Sequence, residues 1–177
     1  MFIFLLLTAM QLGAEESDKW QQARRLYYDG LKKKSSLQQA MALFSELAEG
    51  ANKPAVAQTY LGSLTAVKAK YALLPTAKFK YANEGLALMD DGLAKSNDDL
   101  EALFIHGTTC YHLPFFFNRK HDAERSFRRI LELLPQRFDD TPPELVRNAL
   151  EFILSKIDLD HEERLYAMHL MDRLRAS

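Results

Sequence analysis

Apolar residues recur every three or four positions along most of the chain, which is the spacing of an amphipathic α-helix. Only 7 glycines and 6 prolines occur among many alanines and leucines, so the composition also favours helix. No stretch alternates apolar and polar residues over the length of a useful β-strand. The pattern therefore predicts an all-α chain of about eight helices in four consecutive antiparallel pairs. The expected pairs cover residues 18–52, 54–97, 98–135 and 141–176.

Prolines mark where several of these helices should begin and end. Pro54 suits the first turn of the second pair, whose first helix we expect to continue to Leu74 and to end at Pro75. Phe79 then belongs to the inward-facing stripe of the next helix, and Pro135 should close the third pair before a loop. Each pair leaves an apolar face that only a neighbouring pair can cover. We therefore expect the pairs to stack as an α-solenoid.

The stretch Leu100–Pro135 carries the most specific pattern in the chain. Its second helix places a small residue, an aromatic, an aliphatic and a proline at spacings that the first pair partly repeats. These positions are Ala123, Phe127, Ile130 and Pro135 in the third pair, and Ala40, Phe44 and Leu47 in the first. A Leu61-Gly62 step lies 34 residues after Tyr27-Tyr28, and His106-Gly107 occupies the matching place in the third pair. These features resemble the tetratricopeptide repeat over roughly residues 20–135. In that family the glycine lets a partner helix approach closely.

Residues 1–14 have the character of a secretory signal peptide. Phe2 to Met10 are almost all apolar, and no charged side chain occurs before Glu15. An apolar run of about nine residues is too short to span a bilayer, which takes roughly twenty. Cleavage after Ala14 would leave a mature helical-repeat domain of residues 15–177, so we expect an exported, periplasmic protein. The alternative is a first helix that stays attached and packs on the domain.

Composition and motif content argue against several classes of function. The 177 residues carry a formal net charge of -1, which gives no general case for nucleic-acid binding. A single cysteine, Cys110, cannot form an intramolecular disulfide. We find no phosphate-binding glycine loop, nucleophile elbow or zinc-protease motif. The sequence therefore predicts a protein that is not an enzyme and has no cofactor.

One pair of residues keeps a metal or enzymatic alternative open. His106 and Cys110 are four positions apart on one predicted helix, so they share a face and could hold a metal with a further ligand. The repeat pattern places both at positions where helices pack. We favour a core histidine and a buried thiol, with no metal.

The family resemblance implies a groove lined by the first helix of each pair. Tetratricopeptide arrays bind extended peptides there, and the polar, partly basic lining of this groove would suit an acidic or C-terminal segment of a partner. The residues that map onto the groove are Arg25, Asp29, Lys32, Lys33, Thr59, Ser63, Thr108, Tyr111 and His112.

Two further stretches are typical of contact surfaces. A basic–aromatic patch interleaves Lys68, Lys70, Lys78 and Lys80 with Tyr71, Phe79 and Tyr81, and it could grip anionic groups, although a solvated lysine face is the simpler interpretation. The insert Phe115–Phe117 cannot face one helix core with all three rings, so at least one ring could be exposed as a partner or membrane contact, although a loop that folds back to plug the gap beside the lengthened second pair is the simpler interpretation. The main hypothesis is a non-catalytic scaffold that binds a protein or peptide partner in the cell envelope. A membrane-surface adaptor is the alternative.

Overall fold

The computed structural model describes the backbone of residues 2–50 and 52–176, and the side chains of residues 15–50 and 52–176. Within that part of the chain, eight α-helices form and no β-strand does, which confirms the predicted all-α class and helix number. The helices are α1 (Phe2–Gly30), α2 (Lys34–Glu49), α3 (Pro54–Lys68), α4 (Pro75–Lys95), α5 (Leu100–His112), α6 (Lys120–Arg137), α7 (Pro143–Lys156) and α8 (His161–Ala176). Two short 3-10 helices, Ala69–Tyr71 and Phe115–Phe117, lie in the α3–α4 and α5–α6 connections.

The chain divides into two compact units. Unit 1 is Met1–Gly92 and contains α1 to α3 and most of α4. Unit 2 is Leu93–Ser177 and contains the end of α4 and the helices α5 to α8. Each unit has buried apolar side chains of its own.

In unit 1, α1 and α2 pack as an antiparallel pair. The rings of Trp20 and Phe44 meet edge to face with centroids 5.9 Å apart. At the other end of the pair, a Cβ added to Gly30 would lie 2.9 Å from the Cα of Leu37. Position 20 thus faces position 44 while position 30 faces position 37, which requires opposite chain directions.

Aromatic residues tie α3 to both preceding helices. The ring of Tyr60 stacks on Phe44 of α2 with centroids 4.3 Å apart, and it meets Tyr27 of α1 edge to face at 4.9 Å. The hydroxyls of Tyr27 and Ser63 form a buried hydrogen bond of 2.9 Å. Both ends of that bond are buried, so these polar groups are paired inside unit 1.

Three glycines bring α3 and α4 into backbone contact. A Cβ on Gly62 would overlap the backbone of Met89, and one on Gly85 would lie 2.6 Å from the carbonyl oxygen of Gly62. A Cβ on Gly92 would lie 2.7 Å from the backbone nitrogen of Thr59. Only hydrogen fits at these points, so the close approach predicted at Gly62 is confirmed.

In unit 2, α5 and α6 form the second close antiparallel pair. A Cβ on Gly107 would lie 2.9 Å from the ring of Phe127, so the glycine makes room for the aromatic side chain. The same ring stacks on Phe152 of α7 with centroids 4.7 Å apart. Asp99 caps α5 by accepting hydrogen bonds from the backbone of Glu101 and Ala102. Phe127 therefore lies where three helices of unit 2 meet.

Arginines of α6 connect that helix to both sides of unit 2. Arg128 donates from Nε to Glu163 of α8 at 2.8 Å, and this hydrogen bond raises the pKa of the guanidinium. Arg129 donates from Nε and Nη2 to one oxygen of Asp98, at 3.0 and 2.6 Å, which raises its pKa in the same way. These contacts fix the rotation of α6 about its axis.

Three expectations about helix limits and faces were wrong in detail. The helix α3 ends at Lys68, not Leu74, because a 3-10 turn follows at Ala69–Tyr71 and the chain is extended at Ala72 before α4 begins at Pro75. Phe79 is 50% exposed instead of inward-facing, since it precedes the buried stripe of α4. The helix α6 continues past Pro135 to Arg137, because proline has a helical φ and removes only one hydrogen bond near a helix end.

The predicted signal peptide lies outside the residues whose side chains are described. The backbone of α1 is helical from Phe2 onward, and nothing in the described part of the chain tests cleavage after residue 14. Among the described residues, no helix is both long and apolar enough to cross a bilayer.

Candidate functional site

Two predicted sites meet at one end of unit 1. Lys32 and Lys33, from the predicted groove, lie in the α1–α2 turn, and the basic–aromatic patch runs from the end of α3 through the α3–α4 connection into the start of α4. Lys70 Nζ donates to the carbonyl oxygen of Leu31 at 3.3 Å, which joins the two segments. Lys34 and Lys68 line the same pocket. We call this surface the lysine-rich end, and it comprises Lys32, Lys33, Lys34, Lys68, Lys70, Lys78 and Lys80.

Most ammonium groups of the lysine-rich end have no carboxylate partner among the described residues. Lys80 lies 3.8 Å from Glu84, and Lys68 lies over the ring of Tyr81 at 4.6 Å from its centroid. No ion pair forms at Lys32, Lys33, Lys34 or Lys78 within the part of the chain that the structure describes. Elsewhere in unit 1, Lys19 donates to Glu46 at 2.8 Å, and that hydrogen bond raises the pKa of Lys19. The lysine-rich end thus concentrates uncompensated positive charge in a chain of nearly zero net charge.

An apolar pocket opens within the lysine-rich end. Its volume is about 550 Å³, and it lies between α2, the end of α3, the α3–α4 connection and the start of α4. The lining residues are Lys34, Leu37, Gln38, Met41, Lys68, Tyr71, Ala72, Leu73, Leu74, Ala77 and Tyr81. None of them is acidic. Leu73 and Leu74 at the rim are 95% and 65% exposed, which is unusual for leucines that follow one another.

Two residues of the predicted groove are buried in unit 1. Thr59 is 0% exposed and donates from its hydroxyl to the carbonyl oxygen of Ala55. Ser63 is 1% exposed and bonds the hydroxyl of Tyr27. Neither can line an open groove, because α3 packs against α1 and α2 on one side and α4 on the other. Arg25 and Asp29 are exposed on α1.

The remaining groove residues belong to unit 2. Thr108 donates to the carbonyl oxygen of Phe104, within its own helix. Tyr111 packs edge to face on Phe152 at 5.2 Å, and the exposed His112 meets the same ring at 5.9 Å. Tyr111 and His112 therefore share one aromatic contact.

His106 and Cys110 lie inside unit 2, at 5% and 2% exposure. His106 Nδ1 is 2.7 Å from Ser126 Oγ, and its Nε2 is 3.4 Å from Arg119 Nη2 and 3.7 Å from Cys110 Sγ. Because a guanidinium can only donate, Nε2 accepts and the proton resides on Nδ1, which donates to Ser126. Arg119 also pairs with Asp122 at 2.9 Å. In the described residues, no group of three histidine, cysteine or carboxylate side chains could hold a metal. The arrangement is that of a buried polar network between helices.

The insert of unit 2 leaves two phenylalanines in solvent. Phe115 is 93% and Phe116 56% exposed, whereas Phe117 is half-buried with its ring centroid 5.0 Å from that of Phe116. The alternative in which the loop folds back to bury its rings is wrong for the first two. The exposed pair is an apolar tip at the surface of unit 2.

The sequence did not single out the apolar part of the pocket. Leu73 and Leu74 were expected in the first helix of the second pair, which ends before them at Lys68. A usable signal exists, because Leu74 directly precedes Pro75, where helical conformation is disfavoured.

Comparison with known proteins gives no relative from which a role could be transferred: no family model, curated protein or solved structure matches the chain. The fold and the surface of each unit therefore carry the functional argument. They describe an all-α protein of packed helix pairs with a positively charged end on unit 1.

Proposed function

We propose that this protein is a non-catalytic, tetratricopeptide-like α-solenoid scaffold that is exported by the signal peptide of residues 1–14. It binds an acidic segment of a protein partner in the cell envelope through the lysine-rich end of unit 1. Two contacts support the resemblance to the repeat. The ring of Tyr27 in α1 packs against that of Tyr60 in α3, and the backbone of α4 lies directly against Gly62, the glycine of the Leu-Gly pair.

The observation that carries the proposal is the clustering of lysines without carboxylate partners around an apolar pocket. Like charges at one surface repel each other, so an acidic segment relieves the repulsion as it forms ion pairs. Each exposed pair contributes only about 0.2–1 kcal/mol, and several pairs together with an apolar contact are needed for stable binding. Complementary charge also raises the association rate and excludes basic partners.

Charge reversal tests the proposal. We expect Lys32→Glu combined with Lys33→Glu to weaken capture of the envelope partner by about tenfold or more, because two attractions become repulsions. The measurement is affinity capture from an envelope fraction, followed by quantification of the recovered partner. The matched control reverses Lys120 and Lys156, two exposed lysines of unit 2 with no ion-pair partner among the described residues. Equal recovery with both double variants would contradict the proposal.

The apolar tip of unit 2 supports a second candidate, a membrane-surface adaptor. Exposed phenylalanines can enter the interfacial region of a bilayer, and the adjacent Lys120 is exposed and suits anionic lipid. We expect flotation of the protein with anionic vesicles to be lost on Phe115→Ser and Phe116→Ser. Flotation that survives both substitutions, or that never occurs, would reject this candidate.

A further inference from the structure

We propose that the pocket of the lysine-rich end binds a small anionic amphiphile, meaning a single hydrocarbon chain that ends in a carboxylate or phosphate group. This goes beyond the proposed function, because the ligand is a small molecule and its contacts lie inside the pocket. The proposed protein partner pairs instead with the lysines around the pocket, of which Lys32 and Lys33 are not part of its lining.

The pocket has the size and lining of a ligand site. Its volume of about 550 Å³ falls within the range of about 300–1,000 Å³ that is common for small-molecule sites. Leu37, Met41 and Ala77 provide a lining of hydrocarbon, with Leu74 at the rim. A flexible chain fills such a cleft better than one rigid side chain of a peptide does.

The charge of the lining selects the head group. Lys34 and Lys68 are the charged residues of the lining, and neither has a carboxylate partner among the described residues. Lys68 Nζ lies over the ring of Tyr81, and both residues line the pocket. An anionic head group can pair with these ammonium groups while its chain occupies the apolar part. A cationic amphiphile of the same length would be repelled.

One residue of the lining also carries a buried polar group. The hydroxyl oxygen of Tyr71 is buried, and it forms no hydrogen bond with any described residue. An unsatisfied buried hydroxyl destabilises the folded protein, because it has given up its hydrogen bonds to water. Solvent does not reach this oxygen, so a ligand in the open pocket does not reach it either. The two lysines therefore recognise the head group, and the ring of Tyr71 belongs to the lining.

The leucines of the rim explain why a ligand would be retained. Leu73 and Leu74 lie in the link before α4, with 95% and 65% of their surface in solvent. A hydrocarbon chain in the pocket would cover part of that surface, and the burial of its methylene groups favours binding.

Calorimetric titration of the full-length protein with laurate, below its micelle concentration, tests the proposal. We expect saturable binding of laurate and none of dodecyltrimethylammonium, which has the same chain and the opposite charge. A titration with lauroyl lysophosphatidylglycerol, which carries a phosphate, shows which head group the pocket prefers. Tighter binding of laurate would indicate a carboxylate, and tighter binding of the lysolipid would indicate a phosphate. Binding of either ligand supports the site.

Substitutions in the pocket locate the binding. We expect Lys68→Met to weaken laurate binding by about twofold to fivefold, while Leu74→Asp abolishes it. Tyr71→Phe should keep laurate binding and raise the Tm of the unliganded protein by about 2–4 °C, since it removes an unsatisfied hydroxyl. Tyr166→Phe in unit 2 and Lys78→Met outside the pocket are the matched controls, and they should leave laurate binding unchanged.

The outcomes separate this inference from the proposed function. Lys32→Glu combined with Lys33→Glu should keep laurate binding and lose the protein partner, whereas Leu74→Asp should lose laurate. Absence of saturable laurate binding, equal binding of the cationic amphiphile, or unchanged affinity in Lys68→Met and Leu74→Asp would overturn the ligand site. None of these results would bear on binding of the protein partner, which the capture experiment tests separately.

Discussion

Replacing Phe127 with alanine should lower the free energy of unfolding of unit 2 by about 3–5 kcal/mol. The ring is 0% exposed, lies against Gly107 of α5 and stacks on Phe152 of α7. Its removal leaves a cavity between three helices, and these cannot close over it without losing their other contacts. A typical domain has only about 5–15 kcal/mol of stability in total, so the variant should be close to unfolding.

Phe115→Ala is the matched control for this experiment. It makes the same chemical change at a ring that is 93% exposed, so we expect a change within about 0.5 kcal/mol. Urea denaturation followed by circular dichroism measures both variants. A similar loss of stability at positions 115 and 127 would mean that the packing of unit 2 has been described wrongly.

Gly62→Ala should destabilise unit 1 by about 2–3 kcal/mol, although alanine is the better helix former by about 1 kcal/mol. The added methyl group would overlap the backbone of Met89, which no rotamer change can relieve. The helix α4 would have to move away from α3, and the contacts at Gly85 and Gly92 would be lost with it.

The single tryptophan provides a local measurement of this effect. Trp20 is 5% exposed in unit 1 and packs against Phe44, so its fluorescence reports unfolding of that unit. Gly50→Ala is the control: its nearest neighbour to an added Cβ is the carbonyl oxygen of Leu47 at 3.4 Å, and its φ is negative. We expect that variant to be neutral. Equal transitions for Gly62→Ala and the wild-type protein would rule out the close approach of α3 and α4.

The sequence predicts the helices well because their periodicity reflects burial directly. Ala40, Phe44, Ala123 and Phe127 recur at matching spacings, and all four are 0% exposed. The close packing at Gly62 is likewise predictable from the sequence, because a small residue at a fixed place in a repeat-like pattern indicates that a neighbouring helix approaches closely.

The exposed residues are harder to predict for a helix that packs against neighbours on two sides. Eight of the 15 residues of α3 are buried, among them the polar Thr59 and Ser63. Hydroxyl side chains can satisfy themselves by bonding a nearby carbonyl or another hydroxyl, so their polarity does not reveal exposure. The groove assigned from the repeat pattern fails at these two positions for that reason.

The pocket could not be predicted because its parts are distant in sequence. Leu37 and Tyr71 come from different helix pairs, and they meet only after the α1–α2 turn and the α3–α4 connection fold to the same end of unit 1. The sequence therefore predicts the helices and singles out individual lysines. That these lysines surround an apolar pocket depends on tertiary structure, which the sequence pattern does not show.

Carbodiimide cross-linking of the captured partner tests the central claim most directly, because it joins lysine amines to carboxylates that are already in contact. Mass spectrometry of the cross-linked peptides then identifies both ends of each link. The account predicts links from the lysine-rich end, above all from Lys32, Lys33 and Lys34, to aspartates and glutamates of the partner. Links that come instead from Lys120 or Lys156 of unit 2, with none from the lysine-rich end, would contradict it.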